Sequence, residues 1–463
     1  MIEPGKKVVL FPIETVVREL DFRLMLAAYC ARSDTQIVIG KQRLLELLLF
    51  RLHGGLFVGK NLATWKSNQP YRTYKARGFR TVFLHEEGAF YQGRPEDWAK
   101  RLHEILDVEQ IEPGDHVCTW GEFQADCYRA RQPRCLDHIV VTGHPRFSLL
   151  SPKHRLLYEA EAGALRKRFG PFVLLNTNFG WNNAKGMDFS FCWYRVKPED
   201  RQRRTYYLDQ FCVSAIKWAR FLQLINTLSD HFPELQFVVR PHPAESIHSY
   251  VVLRHVPRVT VIREGALGAW LLASEAVIHD GCTTALEACL AGCPVINFRP
   301  VPDERFDVVL PNLAGVSCTT EAEVEQTLRR FLKSKGTEAS VTPENAGRIT
   351  RLLANFDSGV DSFERMARII HQVLDEISPT RVTGLGPVLG RHRLKDAVWH
   401  LLRPLDPVSW LGRLGKRDRG YQKFPPLERR DIREKISTIR KITGRPIEIR
   451  FHGHHLLSMF LHG

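Results

Sequence analysis

Short runs of β-branched and aliphatic residues alternate with helical patterns along most of this chain, and the alternation begins twice. Lys7–Pro12, Gln36–Gly40, Gly55–Val58, Thr81–His85, His116–Trp120 and His138–Thr142 have the length and composition of buried strands. Glu19–Ala31 and Pro95–Leu106 read as helices between them. After Pro145 comes an amphipathic linking helix, Lys153–Phe169. The strand series then resumes with Phe172–Asn176, Gln236–Arg240, Val259–Ile262, Ala276–His279 and Val295–Phe298. Arg204–Phe232 and Phe363–Glu376 carry long helical patterns. Strand–helix alternation of this kind specifies a parallel sheet with helices on both faces. A chain of 463 residues exceeds what one core holds, about 250–300 residues. The expected fold is therefore α/β: two doubly wound Rossmann-like domains, residues 1–152 and 153–377, with a cleft between them. A basic helical tail, 378–463, follows.

Composition supports a folded chain, with 44% hydrophobic and 25% charged residues. The net charge of +15 is uneven. Residues 379–463 hold 18 Lys and Arg against 7 Asp and Glu, a net of +11, which leaves +4 for the rest. A basic tail on a nearly neutral body points to an anionic partner. Arg391–Leu402 reads as an amphipathic helix with a cationic face, suited to a membrane interface. The plainer reading is a tail that packs back on the body. The ten cysteines include no CxxC pair, which argues for reduced, packed thiols and against a zinc site. Met1–Leu10 lacks the form of a signal peptide, and no run reaches the ~18–20 apolar residues of a membrane span. These features place the protein in the cytoplasm, peripheral on the inner membrane. The terminal FHGHH is a weak metal signal, and no metal is expected.

Chemistry-bearing residues cluster at predicted strand ends, where doubly wound sheets bind ligands. Arg240-Pro241-His242-Pro243 follows one strand. Its two prolines exclude helix and stiffen the loop, so His242 is held in place, and Arg240 and His242 can both meet a phosphate. His279-Asp280-Gly281-Cys282-Thr283-Thr284 follows another strand and leads into ALEACLAGCPVINF. Thr284 and Glu287 have the spacing of a capping box. A helix start beside two hydroxyls forms an anion site. The plainer reading, a capped helix, accounts for Thr284 and Glu287 but leaves His279, Asp280 and Thr283 unexplained.

The form R-P-H-P, then H-D-G-x-T-T-A-L-E-A-x-x-A-G-x-P-V-I about forty residues on, resembles the nucleotide half of GT-B glycosyltransferases. It is similar to bacterial capsule and surface-polysaccharide transferases, including those that use a CMP-linked ulosonic acid such as Kdo. The resemblance implies that His242, Thr283 and Thr284 hold the donor phosphate and that Glu287 lies near the ribose. Phe11–Glu14, Arg18–Asp21, His85–Gly88, Val141–Phe147 and Leu175–Phe179 resemble surface carbohydrate biosynthesis proteins of the capsule and O-antigen type. The resemblance spans about 7–375. Asn176, Thr177 and Asn178 are then candidates for donor contacts, and His144 and Arg146 join the candidate binding set.

Glycosyl transfer needs a stabilised oxocarbenium ion and a deprotonated hydroxyl, tasks that suit carboxylates. Glu86 and Glu87 stand after a predicted strand and are the first candidates for base or nucleophile; Glu14 and Asp21 come next. The plainer reading for each is a solvated acid or a cap. The implied reaction moves a sugar from a nucleotide donor to a glycan or lipid-linked acceptor, without metal or cofactor. Two rivals remain. One is a sugar-nucleotide 2-epimerase acting on UDP-HexNAc, whose interdomain strand Thr142–Phe147 resembles. The other is a non-catalytic assembly protein that binds an anionic surface through its tail. A nucleic-acid role for that tail leaves 240–298 unexplained.

Overall fold

The computed structural model describes residues 2–60, 63–64, 67–86, 91–184, 197, 199–334, 340–357, 359–384 and 424–461. They form two compact units. The first comprises Met1–Gly88, Ala99–Leu149 and Leu353–Gly463; the second comprises Ala89–Trp98 and Leu150–Leu352. The expected domain limits differ in three ways: Ala89–Trp98 falls in the second unit, the helix Ser362–Glu376 belongs to the first, and the expected separate tail, 378–463, is also grouped with the first.

In the first unit, β1 (Lys7–Ile13), β2 (Thr35–Lys41), β4 (Gly55–Gly59), β5 (Phe79–Leu84), β6 (His116–Thr119) and β7 (Ile139–Val141) form a parallel sheet in the order β2-β1-β4-β5-β6-β7. A two-residue strand, β3 (Leu52–His53), precedes β4. Val8, Val9, Leu10, Phe11 and Ile13 of β1 are fully buried, as a parallel strand covered on both faces requires. The chain steps outward from β1 to β2 and then across to β4, so right-handed crossovers put helices on opposite faces. The helix Val16–Cys30 is buried almost all round. Its outer side is covered by the helices Ser362–Glu376 and Arg429–Thr443. Tyr29 stacks on Phe363 with centroids 5.5 Å apart.

The second unit has the Rossmann order. β8 (Phe172–Asn176), β9 (Gln236–Arg240), β10 (Val259–Val261), β11 (Ala276–His279), β12 (Val295–Phe298) and β13 (Val316–Cys318) lie as β10-β9-β8-β11-β12-β13, all parallel. One sheet face, including Leu175, Val239, Ile278 and Ile296, shares a core with the 31-residue helix Arg201–His231 and the helix Glu321–Ser334. The direction of winding reverses between β8 and β11, which makes their carboxyl ends the switch point where such folds bind ligands.

The chain then returns to the first unit. β14 (Arg381–Val382) pairs with β3, and a hairpin of β15 (Ile447–Phe451) and β16 (Leu456–Leu461) adds antiparallel to the β2 edge, giving an eight-stranded sheet. Leu456, Leu457 and Met459 of β16 are fully buried. In the helix Arg429–Thr443, Ile432, Ile436 and Ile439 face inward. Lys435 meets Asp21 at 2.7 Å, and Arg445 donates to the carbonyls of Ala28 (3.3 Å) and Ala31 (2.9 Å), which satisfies acceptors at a helix end. The described part of the tail thus packs as core. The expected helix Arg391–Leu402 lies outside the described residues. Among the described residues no helix is long and apolar enough to cross a membrane.

This packing makes a testable claim. Leu457→Ala should cost about 2–5 kcal/mol, as truncation of a buried Leu does. Urea denaturation followed by fluorescence measures it. A cost below about 1 kcal/mol would show that the hairpin is not part of the core.

Candidate nucleotide-binding site

Three strands of the second unit carry an apolar run that closes on a polar residue. Asn176 closes β8, Arg240 closes β9 and His279 closes β11. Register places Arg240, Asn176, His279 and Asn297 of β12 in one row across the sheet.

The loops beyond this row are built on one acid. Glu245 is fully buried. Its Oε1 accepts from Thr177 Oγ1 (2.8 Å) and from the His242 backbone N–H (3.0 Å). Its Oε2 accepts from Tyr250 OH (2.6 Å) and Asn183 Nδ2 (3.3 Å). Four donors satisfy a carboxylate that would otherwise be too costly to bury. Arg263 staples the same loop from outside, donating to the carbonyls of Pro241 (3.1 Å), His242 (2.9 Å) and Glu245 (2.9 Å). The His242 ring accepts the Ala244 N–H at Nδ1, 3.2 Å away, which orients it. This is the stiff His-bearing loop expected from the flanking prolines.

At the β11 end, Gly281 has φ +61°, a conformation that favours glycine and turns the chain sharply. Asn176 Nδ2 donates to Thr284 Oγ1 at 3.1 Å, joining the β8 and β11 ends. Thr177 is buried and Asn178 half-buried beside them. The capping box does not form as expected. The helix Thr284–Leu290 starts with Thr283 at its N-cap and no side-chain capping bond; the Thr284 hydroxyl instead donates to Cys282 Sγ at 3.1 Å. Thr283 is half-buried and Glu287 buried in the first turn.

Two expected ligand contacts are corrected. His279 is fully buried; its Nδ1 accepts the Cys282 N–H (3.3 Å) and its Nε2 lies 3.4 Å from the Ala314 carbonyl. It shapes the turn from within and offers no free edge to a phosphate. Arg240 turns to the Glu264 carbonyl and lies 5.0 Å from the Trp270 ring centroid. Burial pushes its guanidinium down to about 10. Asp280 forms an ion pair with Lys217 at 3.3 Å, and burial raises its carboxyl above the usual range.

The candidate acids of the first unit are also engaged. Glu86 is buried, 3.0 Å from Arg23 Nη2, with its other oxygen 3.2 Å from His144 Nε2. Burial favours its neutral form, but His144, Arg23 and Lys60 outweigh this and hold it below the usual carboxylate range. Both carboxylate oxygens are engaged within the protein, so Glu86 presents no free oxygen to act as base or nucleophile, which corrects that expectation. Lys60 lies 2.9 Å from Glu14, and Asp21 anchors Lys435. Glu87 lies outside the described residues. His144 is locked by Asn355, which accepts its N–H (3.0 Å) and donates to its carbonyl (2.9 Å), while its Nδ1 accepts from the Arg146 N–H. The Arg146 guanidinium sits 4.7 Å from the Phe147 ring centroid and 5.9 Å from that of Trp120. His144 and Arg146 therefore act as packing elements, which corrects their placement among ligand contacts.

Sequence reading missed Glu245, Arg263, Arg23, Lys217, Arg299 and Asp307. Lys217 left a visible signal. It falls on the buried stripe Ser214, Lys217, Phe221, Leu224, Leu228 of its helix, where a lysine demands a partner. Among the described residues no cluster of His, Cys, Asp and Glu is placed to hold a metal ion. In the terminal hairpin His452 Nε2 lies 2.9 Å from Ser458 Oγ.

No family model matches the chain, and no curated protein sequence matches it. Solved structures resemble it in part. UDP-GlcNAc 2-epimerase of Methanocaldococcus jannaschii is 11% identical over 79% of this chain and 99% of that one, with a TM-score of 0.45. The UDP-GlcNAc 2-epimerase of Neisseria meningitidis is 12% identical over 80% and 100%, with a TM-score of 0.46. The wall teichoic acid polymerase TagF is 10% identical over 81% and 90%, with a TM-score of 0.42. The fold assignment, two Rossmann-like α/β units, rests on the strand orders described above.

Buried histidines give this structure an acid limit. Burial pushes His116, His144 and His279 down to about 4, from an ordinary value of 6.5. The unfolded chain therefore takes up protons between pH 6.5 and 4 that the folded chain refuses, and stability present above pH 6.5 is lost as pH falls. Urea midpoints at pH 7 and pH 4.5 should differ less in His279→Asn than in the unaltered protein. Equal acid losses would contradict the assignment of His279.

Proposed function

We propose that this chain is a nucleotide-sugar glycosyltransferase whose second unit holds the donor. The observation that carries the reading is the Glu245 cluster, which braces the His242 loop at the β9 end beside the Asn176–Thr284 link between β8 and β11. In this reading His242 donates to a phosphate oxygen and Thr283 supplies a hydroxyl, to which Thr284 adds its own by turning from Cys282. Backbone donors of the turn add to them. The helix Thr284–Leu290 spans only two turns, so its dipole contributes little and the side chains carry the contact. Glu287, Asn176, Thr177 and Asn178 line the neighbourhood of the ribose and sugar.

The favoured donor is a CMP-linked ulosonic acid such as Kdo, and the acceptor a surface-polysaccharide or lipid-linked glycan, as the motif resemblance implies. With Glu86 withdrawn into its ion pair and Glu14 and Asp21 engaged, Glu87 is the remaining candidate base. Attachment to an anionic membrane surface would fall to Arg391–Leu402. The resemblance of Thr142–Phe147 supports a second reading, a sugar-nucleotide 2-epimerase, which would act on UDP-HexNAc without an acceptor, although the segment turns into the helix Pro145–Ser148 and is not a strand.

Nucleotide release tests the proposal. CMP-Kdo, UDP-GlcNAc and related donors are offered with and without a lipid-linked glycan acceptor. Acceptor-dependent release of CMP or UDP is expected, reduced at least about a hundredfold in His242→Ala. Epimerised UDP-HexNAc without acceptor would establish the second reading. No turnover of any donor together with no nucleotide binding would sink both.

A further inference from the structure

Lys217 sits midway along the helix Arg201–His231, on the face that packs against the sheet, and is 6% exposed. Its ammonium lies 2.7 Å from Asp307 Oδ1 and 3.3 Å from Asp280 Oδ1. The second Asp307 oxygen pairs with Arg299 and accepts the Asp303 N–H at 3.1 Å. Three segments distant in sequence meet here: the long helix, the β11 turn and the stretch after β12. The group contains two cations, Lys217 and Arg299, and two anions, Asp280 and Asp307, so it is electrically balanced.

That balance matters because Asp280 is only three residues from Thr283. A carboxylate at an anion-binding turn repels a phosphate unless a cation offsets it, and burial leaves little solvent to screen the repulsion. A cation 3.3 Å from Asp280 Oδ1 also holds the carboxylate in one position. We propose that Lys217 is a positioning residue of the β11 turn, whose charge offsets Asp280 and so permits that turn to accept an anionic ligand. The inference rests on the nucleotide reading above and adds to it a residue outside the strand ends. Lys217 does not touch the ligand; it acts through Asp280.

Removing Lys217 leaves two buried acids against one arginine. The penalty should scale with the charge of the ligand, which a packing role would not produce. Calorimetric titration of the full chain compares CMP with cytidine, and UMP with uridine, as charged and uncharged probes. Lys217→Met should weaken nucleotide binding roughly ten- to thirtyfold and change nucleoside binding less than about twofold. Lys217→Arg should keep near-normal affinity. The double variant Lys217→Met with Asp280→Asn removes one charge of each sign and should recover most of the loss.

Equal loss of nucleotide and nucleoside, normal nucleotide binding in Lys217→Met, or no recovery in the double variant would each overturn the inference while leaving the nucleotide reading intact. If Lys217→Met does not fold by circular dichroism, Asp280→Asn alone carries the test. It leaves one excess cation and should tighten nucleotide but not nucleoside binding; unchanged or weaker nucleotide binding overturns the inference. Failure of the unaltered protein to bind CMP, UMP or pyrophosphate overturns the reading and the inference together.

Discussion

The arrangement of the loops at the carboxyl end of the second unit's sheet depends on the buried carboxyl group of Glu245. It joins Thr177 after β8, His242 after β9, and Asn183 and Tyr250 from outside the sheet. A parallel sheet positions strand ends but leaves the loops beyond them free. Here a polar group that must be satisfied where it is buried removes that freedom. Every donor it recruits becomes a fixed point, and the His242 ring inherits its position from them. Lys217 serves the neighbouring β11 turn by the same principle with the charge reversed.

The fold was largely legible because strands in parallel sheets are continuous apolar runs, and each predicted strand in both units lies at its expected place. The hairpin of β15 and β16 was not. Its residues IEIRF and LLSMFL follow a basic, Gly- and Pro-rich stretch whose charge drew attention to a membrane. What joins it to the sheet is pairing with β2, a contact between residues more than 400 positions apart, and no local pattern announces such a partner. The site was legible only in outline. His242 lies two residues past the end of β9, and Thr283 and Thr284 lie where the turn after β11 enters a helix. Arg240 and His279 close those two strands, yet their side chains are spent on the protein itself. Position at a strand end is a matter of period and length; direction of a side chain is decided by tertiary partners. Glu245 lies two residues past Pro243 and reads locally as a loop acid. Among the missed residues Lys217 and Arg23 broke a local pattern, each a cation on a buried stretch of helix.

The first unit separates two meanings of an acid placed just after a strand. Glu86 follows β5 as a catalytic acid would, but Arg23 and His144 close around it. The Asn355 amide then clamps the His144 backbone, and Gly143, at φ +70°, makes room for that amide. These groups form a polar core that sets the loop after β7. Chemistry in this unit would have to come from an acid outside the cluster, and Glu87 is adjacent to it in sequence.

The central claim is that phosphate binds where the β8, β9 and β11 ends meet. A crystal structure of the protein soaked with CMP tests it most directly. The account predicts phosphate density within hydrogen-bonding distance of the His242 ring and a Thr283 or Thr284 hydroxyl, with the Glu245 network unchanged. CMP bound elsewhere on the chain, with those three side chains untouched, would contradict it.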